Sequence, residues 1–161
     1  MKEMDKDGLL LCTAQAEAFE LSNELIASSS AIFIRRFMNS HIAEIMDSCN
    51  FWQGNLNAKD ILSSVDEEYG ISQYGSVKFT KNELYWIGYI YRYYAYTYQI
   101  SSRQAYKIVK PKELRELFLA YHTMDPRQAI ERILEAKKYP TCMDEEISRQ
   151  YKIIRKIRAD K

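Results

Sequence analysis

The sequence predicts an all-α fold, in which about seven helices form a compact single-domain bundle over residues 1–161 around a central aromatic helix. Apolar side chains recur at the helical period through most of the chain, and helix-capping signals separate the periodic stretches. Only three Pro and five Gly interrupt the 161 residues. No internal repeat is visible, and the strand runs that a doubly wound or barrel fold requires are absent.

The segment Leu84–Ile100 is predicted to be the most buried helix. Seven of the chain's thirteen Tyr lie in it, together with Trp86. Residues 80–83 match a capping box, and no polar face follows them, which is typical of a helix that is contacted on all sides. Tyr hydroxyls need partners, so their tips should reach the surface or small polar pockets. Because Gly88 costs about 1 kcal/mol relative to Ala in a helix, we expect another helix to cross close to it.

Capping and breaking residues predict the other boundaries. The remaining predicted helices cover residues 8–26, 31–48, 58–69, 102–109, 112–124, 126–138 and 144–161. The residues predicted to begin them are Asp7, Ser30, Asn57 or Ala58, Ser101 with Gln104, Pro111, Asp125, and the acidic run 144–146. Between them we expect an aromatic-anchored turn at residues 50–55 and a mobile loop at residues 70–78.

Composition indicates a soluble cytoplasmic protein. The net charge of +1 gives no general reason to expect nucleic acid or an anionic membrane as a partner. The three Cys, at positions 12, 49 and 142, form no CxxC pair, which suits reduced thiols in the cytosol. The first residues lack the layout of a signal peptide, and charges interrupt every apolar run within the length of a membrane span.

Neither a metal site nor a cofactor is predicted. His41 and His122 are the only histidines, and neither has a Cys, Asp or His at ligand spacing. The five Gly are spread along the chain and form no phosphate-binding loop. No Ser or Cys nucleophile with a neighbouring base stands out.

Two segments suggest specific chemistry. Residues 95–109 have a pattern similar to a helix-turn-helix, and the side chains expected to project outward are suited to phosphate and base-edge contacts. They are Ser101, Ser102, Arg103, Gln104 and Lys107. This alternative makes nucleic acid the partner, although Gln99 occupies a turn position where such motifs often have Gly.

The second segment contains Arg115 and His122, separated by six residues in a predicted helix. This pair resembles the motif of helical HEPN-type RNases, in which an Arg can hold a phosphate while a neutral His moves a proton. The sequence departs from that motif at Glu116, where the family usually has a different polar residue. The spacing also puts the two side chains about 10 Å apart along the helix axis.

Three stretches resemble a small bacterial family that is labelled antitoxin-like. They are FIRRFMNS at residues 33–40, YWIGYIYRYYAYTY at 85–98 and KPKELRELFLAYHTMDPRQAIERILEAK at 110–137. The resemblance covers about residues 28–138 and implies function through binding, because genes of this family tend to lie beside short partner genes and predicted toxin genes. It supplies no catalytic residues.

The leading hypothesis is therefore a non-catalytic protein that binds and neutralises the product of a neighbouring toxin gene. Tyr, Trp and Arg are enriched at interface hot spots, and this chain has many Tyr. The expected contacts are Tyr tips of the central helix and the turn after the Arg115 segment, where Tyr121, His122 and Met124 lie close in sequence.

Overall fold

A computed structural model describes residues 1–48 and 57–140, and residues 147, 150 and 152–157 of the C-terminal segment. Residues 1–140 contain the helices α1 (Lys6–Leu25), α2 (Ser30–Asn39), α3 (His41–Asp47), α4 (Ala58–Tyr69), α5 (Lys81–Tyr98), α6 (Ser102–Ile108), α7 (Pro111–Tyr121) and α8 (Pro126–Ala136). The described residues of the C-terminal segment are also helical, and no strand occurs in the described part of the chain. The prediction of an all-α fold is confirmed.

The contacts divide the chain into two compact units, residues 2–123 and residues 124–161. The first unit contains α1 to α7, and the second contains α8 and the C-terminal segment. Within the second unit, α8 buries the apolar stripe that its sequence predicts, which consists of Ala129, Ile130, Ile133 and Leu134. The assignment of residues 1–161 to one domain stays a prediction.

The long helices α1 and α5 run antiparallel and form the centre of the first unit. Gly8 near the start of α1 lies against Tyr96 at the end of α5, and Asn23 near the end of α1 donates a hydrogen bond to the carbonyl of Phe79. Ile87 and Ile90 of α5 are buried, as expected for the central helix. Burial of an Ile side chain stabilises a fold by about 1.5–3 kcal/mol.

Gly88 marks the point where α1 crosses α5. A Cβ atom at this position would lie 2.9 Å from Cγ of Phe19, and 3.0 Å from both Cα of Ala16 and the carbonyl oxygen of Gln15. Only a residue without a side chain allows the two backbones to approach this closely. The predicted close crossing at Gly88 is confirmed.

Aromatic side chains extend this core from α1 to α2. The ring of Phe19 in α1 makes edge-to-face contacts with Phe33 and Phe37 in α2, at centroid distances of 5.4 and 5.0 Å. This is a preferred geometry for aromatic pairs, and it adds about 0.5–1.5 kcal/mol per pair beyond burial. The three rings fix the position of α2 on α1.

The hydroxyls of two Tyr of α5 have partners elsewhere in the chain, one buried and one at the surface, as expected. The hydroxyl of Tyr91 donates to the carbonyl of Val109 at 2.6 Å, and burial raises the pKa of Tyr91 well above its ordinary value. The hydroxyl of Tyr96 bonds to the carboxylate of Asp5 at 2.7 Å. These bonds tie the end of α6 and the N-terminus to the central helix.

The structure corrects two predicted helix starts in the N-terminal half. Asp5, not Asp7, caps α1, because its carboxylate accepts from the Gly8 amide. Ser29, not Ser30, caps α2, since the hydroxyl of Ser30 accepts instead from the amide of Phe79 at 2.9 Å.

The helix predicted over residues 31–48 is in fact two helices. Ser40 ends α2 and begins α3, and its hydroxyl accepts from the amide of Ala43. Its extended backbone, with φ −80° and ψ 161°, interrupts the helical hydrogen bonds although the apolar period continues through it.

The other predicted starts within residues 57–140 are confirmed. Capping boxes begin α4 at Asn57, α5 at Thr80 and α6 at Ser101, and Pro111 and Pro126 occupy the first turns of α7 and α8. Residues 70–78 form no regular structure, as predicted for a loop. Their backbone is tied to α2, because the amides of Ser29 and Ser30 donate to the carbonyls of Tyr74 and Val77.

Some predictions lie outside the described residues. They are the turn at residues 50–55, the acidic helix start at residues 144–146, and the thiols at positions 49 and 142.

We expect Gly88→Ala to destabilise the protein by about 1–3 kcal/mol, the usual cost of overpacking a core. In an open helix the same change would stabilise by about 1 kcal/mol, but here the added methyl group meets backbone atoms of α1 that cannot rotate away. Urea denaturation measures the difference. Ser63→Ala on the exposed side of α4 is the control and should change stability by less than about 0.5 kcal/mol. A Gly88→Ala protein as stable as the native one would contradict the close crossing.

Candidate functional site

A cleft of about 730 Å³ opens on the surface of the first unit. It lies between the start of α2, the loop at residues 74–79 and the outer side of α7. The side chains that line it include Ile32, Tyr74, Val77, Phe79, Arg115 and Leu119. Clefts of this size that combine apolar walls with a few polar groups are typical of binding sites.

Large apolar side chains around this cleft are exposed. Leu119 is 83% exposed and Tyr74 is 76% exposed, and Val77 between them is also exposed. Single exposed apolar residues are ordinary on protein surfaces, but several of them beside a cleft mark an interaction surface. We refer to this cleft and its exposed rim of Tyr74, Val77 and Leu119 as the α7 cleft.

The charged wall of the α7 cleft is held in one orientation. Nε of Arg115 lies 3.3 Å from a carboxylate oxygen of Glu83, and its guanidinium lies 4.6 Å from the centroid of the Phe79 ring. Glu83 is fixed in turn, since its carboxylate accepts from the Thr80 amide at the start of α5. Arg115 is therefore positioned before any ligand arrives.

The structure gives Arg115 and His122 different partners. His122 follows the last residue of α7, where its Nδ1 lies 2.9 Å from the Phe118 carbonyl oxygen and its ring stacks on Phe118. Arg115 lies about two turns earlier, roughly 10 Å along the axis, and bonds to Glu83. The geometry does not bring the two side chains to one point, and the RNase hypothesis stays a prediction.

The outward face predicted for the helix-turn-helix segment differs from the observed one. Ser102 is buried, so its predicted outward position is wrong. Arg103 is exposed and contacts the carbonyl of Asn39 and the carboxylate of Glu44, at 3.3 and 3.5 Å. The Ser101 hydroxyl accepts from the Gln104 amide as the cap of α6, and Gln104 and Lys107 are exposed.

The turn before α6 needs an unusual backbone conformation. Gln99 ends α5 with φ 53° and ψ 43°, in the left-handed region. Gly is the usual residue there because side chains strain that conformation. The Gln at this position, noted in the sequence as a departure from the motif, adopts the geometry that Gly would otherwise supply.

Ser102 belongs to a buried polar network that the sequence analysis missed. Arg92 of α5 is only 1% exposed, and its three side-chain nitrogens each have a partner on a different helix. Nε donates to Gln15 at 2.8 Å, Nη1 to Asp47 at 2.6 Å and Nη2 to the hydroxyl of Ser102 at 3.0 Å. Arg92 is the one charged residue between Leu84 and Ile100. A single charge in an otherwise uncharged stretch of a buried helix is the sequence feature that could have indicated a buried polar network.

The network positions α6 at its first residue. One carboxylate oxygen of Asp47 accepts from the Ser102 amide at 2.8 Å and the other from the Ser102 hydroxyl at 2.7 Å. A carboxylate at a helix N-terminus is favourable because it satisfies unpaired amides and complements the helix dipole. Four helices therefore meet at Arg92, namely α1, α3, α5 and α6. We call the four side chains that they contribute the Arg92 network: Gln15, Asp47, Arg92 and Ser102.

The Arg92 network is structural in character. A smaller cleft of about 250 Å³ borders it at Asp47, Arg92 and Tyr96. Among the described residues, every buried side-chain nitrogen and oxygen has a hydrogen-bond partner. The side chains of Asp47, Arg92 and Tyr96 at this cleft are hydrogen-bonded within the protein, and we assign no ligand to it.

Other candidate groups offer little chemistry. Cys12 is buried, and burial raises the pKa of its thiol to about 12, so it is not a reactive thiolate at neutral pH. No group of three His, Cys, Asp or Glu side chains within the described ranges could hold a metal ion. None of the helices described is both long enough and apolar enough to cross a membrane.

The residues predicted to contact a partner have mixed exposure. His122 is exposed, whereas Tyr121 and Met124 are half-buried. Tyr121 and His122 belong to the first unit and Met124 to the second. Their role in binding stays a prediction.

Comparison with known proteins identifies no relative. No protein-family model matches the chain, and neither the curated proteins nor the solved structures include a significant match.

We expect Asp47→Ala to destabilise the protein by about 3–5 kcal/mol, the usual cost of removing one partner of a buried ion pair. The substitution leaves the Arg92 guanidinium buried and removes two acceptors from Ser102. Glu67→Ala, at an exposed position of α4, is the control and should have little effect on stability. Adding Arg92→Met to Asp47→Ala should recover part of the loss, because no buried charge then remains. Urea denaturation measures the loss of stability in each variant. If the double variant loses as much as Asp47→Ala and Arg92→Met lose separately, added together, this account is contradicted.

Proposed function

We propose that this protein is a non-catalytic, antitoxin-like binding protein that neutralises the product of a neighbouring gene by covering part of its surface. The observation that carries the proposal is the α7 cleft, a preformed groove with exposed apolar side chains on its rim. The resemblance of residues 28–138 to an antitoxin-like family points to the same class of function. We further propose that the protein acts in the cytoplasm.

The α7 cleft suits an apolar side chain from a protein partner. Tyr74 and Leu119 stand at its rim and Phe79 at its wall, so an inserted side chain would contact apolar atoms on several sides. Arg115 and Glu116 offer hydrogen bonds to the partner's backbone or polar side chains. Burial of an apolar anchor inside a ring of polar contacts is the usual composition of an interface hot spot.

The cleft is organised before binding, which favours affinity. Glu83 and Phe79 hold Arg115, and two backbone hydrogen bonds hold the loop of Tyr74 and Val77 against α2. Each side chain that is ordered only on binding costs about 0.5–1.5 kcal/mol, and here much of that ordering already exists. A stable complex needs about 800 Å² from each partner, so neighbouring surface around the cleft must also be buried.

Co-expression tests the proposal. The neighbouring gene should slow growth when expressed alone, and this protein should restore growth. If the neighbour is harmless alone, or remains toxic when this protein is supplied, the antitoxin-like function is wrong.

We expect Leu119→Gln to weaken the complex with the neighbouring gene product by at least about tenfold, a typical loss when an apolar hot-spot contact is replaced by a polar one. Its exposure means that the change should not unfold the domain. Leu10→Gln is the matched control, because Leu10 is an exposed Leu of α1 that does not line the cleft. Titration calorimetry measures both. Equal affinity for the two variants would move the interface away from the α7 cleft.

A further inference from the structure

The C-terminal segment presents a second surface with a different composition. Residues 152–157 are helical and all six are exposed. Ile153, Ile154 and Ile157 are 49%, 51% and 58% exposed. Ile is among the residues most often buried, so three exposed Ile in six residues require an explanation.

These Ile side chains share one side of the helix. With about 100° between successive residues, Ile153, Ile157 and Ile154 lie within an arc of about 100°. Lys152, Arg155 and Lys156 lie within another arc of about 100° on the opposite side. The segment is therefore amphipathic, with separate isoleucine and basic faces, and Ile147 is a further exposed apolar residue preceding it.

The positive charge of the chain is concentrated in this segment. Residues 147–161 contain six Lys or Arg and one Asp, whereas residues 1–146 contain 17 Lys or Arg and 21 Asp or Glu. Residues 147–161 therefore have a formal charge of +5 on a chain whose total is +1, and they follow the three acidic residues at 144–146. A concentrated charge of one sign attracts a partner surface of the opposite sign and speeds association with it.

We propose that this C-terminal helix is a docking element for an apolar groove bordered by acidic side chains on the protein partner. The isoleucine face fills the groove and the basic face pairs with Asp and Glu at its edge, as in other complexes where a helix binds in a groove. The inference rests on the proposed function, which supplies the protein partner, and adds the chemistry of the surface that this partner must present.

A protein groove fits the segment better than the other acidic surfaces. Nucleic acid would use the Lys and Arg face and leave the isoleucine face in water. Helices that lie on membranes generally carry Trp, Phe or Leu on the apolar face, and residues 147–161 contain none of these. A groove in a protein buries β-branched side chains and pairs the charges at the same time.

Full-length variants test this with the purified product of the neighbouring gene as the probe. Ile154→Gln/Ile157→Gln should lower the affinity at least tenfold, whereas the control Leu9→Gln/Leu10→Gln, with two exposed Leu of α1, should not. Lys152→Gln/Lys156→Gln should slow association and flatten its dependence on salt, in contrast to the control Lys6→Gln/Lys59→Gln on exposed Lys of α1 and α4. Surface plasmon resonance at several salt concentrations separates the association and dissociation rates.

The possible results are distinct. Tail variants that bind like their controls, while Leu119→Gln still weakens binding, would overturn the docking helix and leave the proposed function standing. A native protein that does not bind the probe at all would overturn both. Binding of the native protein to duplex DNA or to phosphatidylserine vesicles that the tail substitutions abolish, with partner binding unchanged, would also overturn the docking helix. So would a self-associated dimer that Ile154→Gln/Ile157→Gln dissociates, again with partner binding unchanged.

Discussion

At Gly88 the backbones of α1 and α5 approach so closely that a methyl group would collide with α1. Because the helices are so close, Gln15 of α1 bonds both to the backbone at the crossing and to the buried Arg92 side chain. Its amide nitrogen donates to the carbonyl of Gly88 at 3.1 Å, and its amide oxygen accepts from Arg92 at 2.8 Å. A larger residue at position 88 would push the helices apart and strain the contacts of Gln15, so the polar interior depends on the apolar crossing.

The Arg92 network transmits that geometry to the shorter helices. Asp47 at the end of α3 and Ser102 at the start of α6 bond to Arg92 and to each other. Buried charges are costly unless they are paired and hydrogen-bonded. Here Asp47 pairs with the charge of Arg92, while Gln15 and Ser102 accept hydrogen bonds from its other two nitrogens. The result is a defined position for α6, whose end accepts the Tyr91 hydroxyl at the carbonyl of Val109. A rigid frame of this kind suits a protein that presents a fixed surface.

Local signals in the sequence were sufficient for most of the fold. The capping boxes at Thr80 and Ser101 and the Pro at position 111 act within a few residues, so a reader of the sequence can locate them. The close crossing at Gly88 could be predicted because a Gly within a helix lowers its stability relative to Ala. A Gly in this aromatic helix therefore indicates that another helix passes close to it. The break at Ser40 was missed because the apolar period of residues 31–48 continues across it, and Ser29 replaced Ser30 as a cap because a distant amide, that of Phe79, uses the hydroxyl of Ser30.

The proposed binding surface was harder to predict for a related reason. Ser102 looked like an outward polar residue, because its partners Asp47 and Arg92 lie 55 and 10 residues away. The α7 cleft combines α2, a loop and α7, and no local pattern marks such a combination. Arg115 was singled out as half of a catalytic pair, whereas the structure places it on the wall of the cleft, bonded to Glu83. Its side chain is suited to recognition at that position.

Together these features describe a firm helical frame with the α7 cleft on its surface, and we propose that a protein partner binds there. Hydrogen–deuterium exchange of the native protein, alone and with the neighbouring gene product, tests this most directly because it reports the frame and the contact surface at once. The account predicts that amides of residues 86–97 exchange most slowly in the free protein, and that the partner adds protection at residues 71–79 and 111–121. Rapid exchange within residues 86–97, or partner-induced protection that spares both of the other segments, would contradict it.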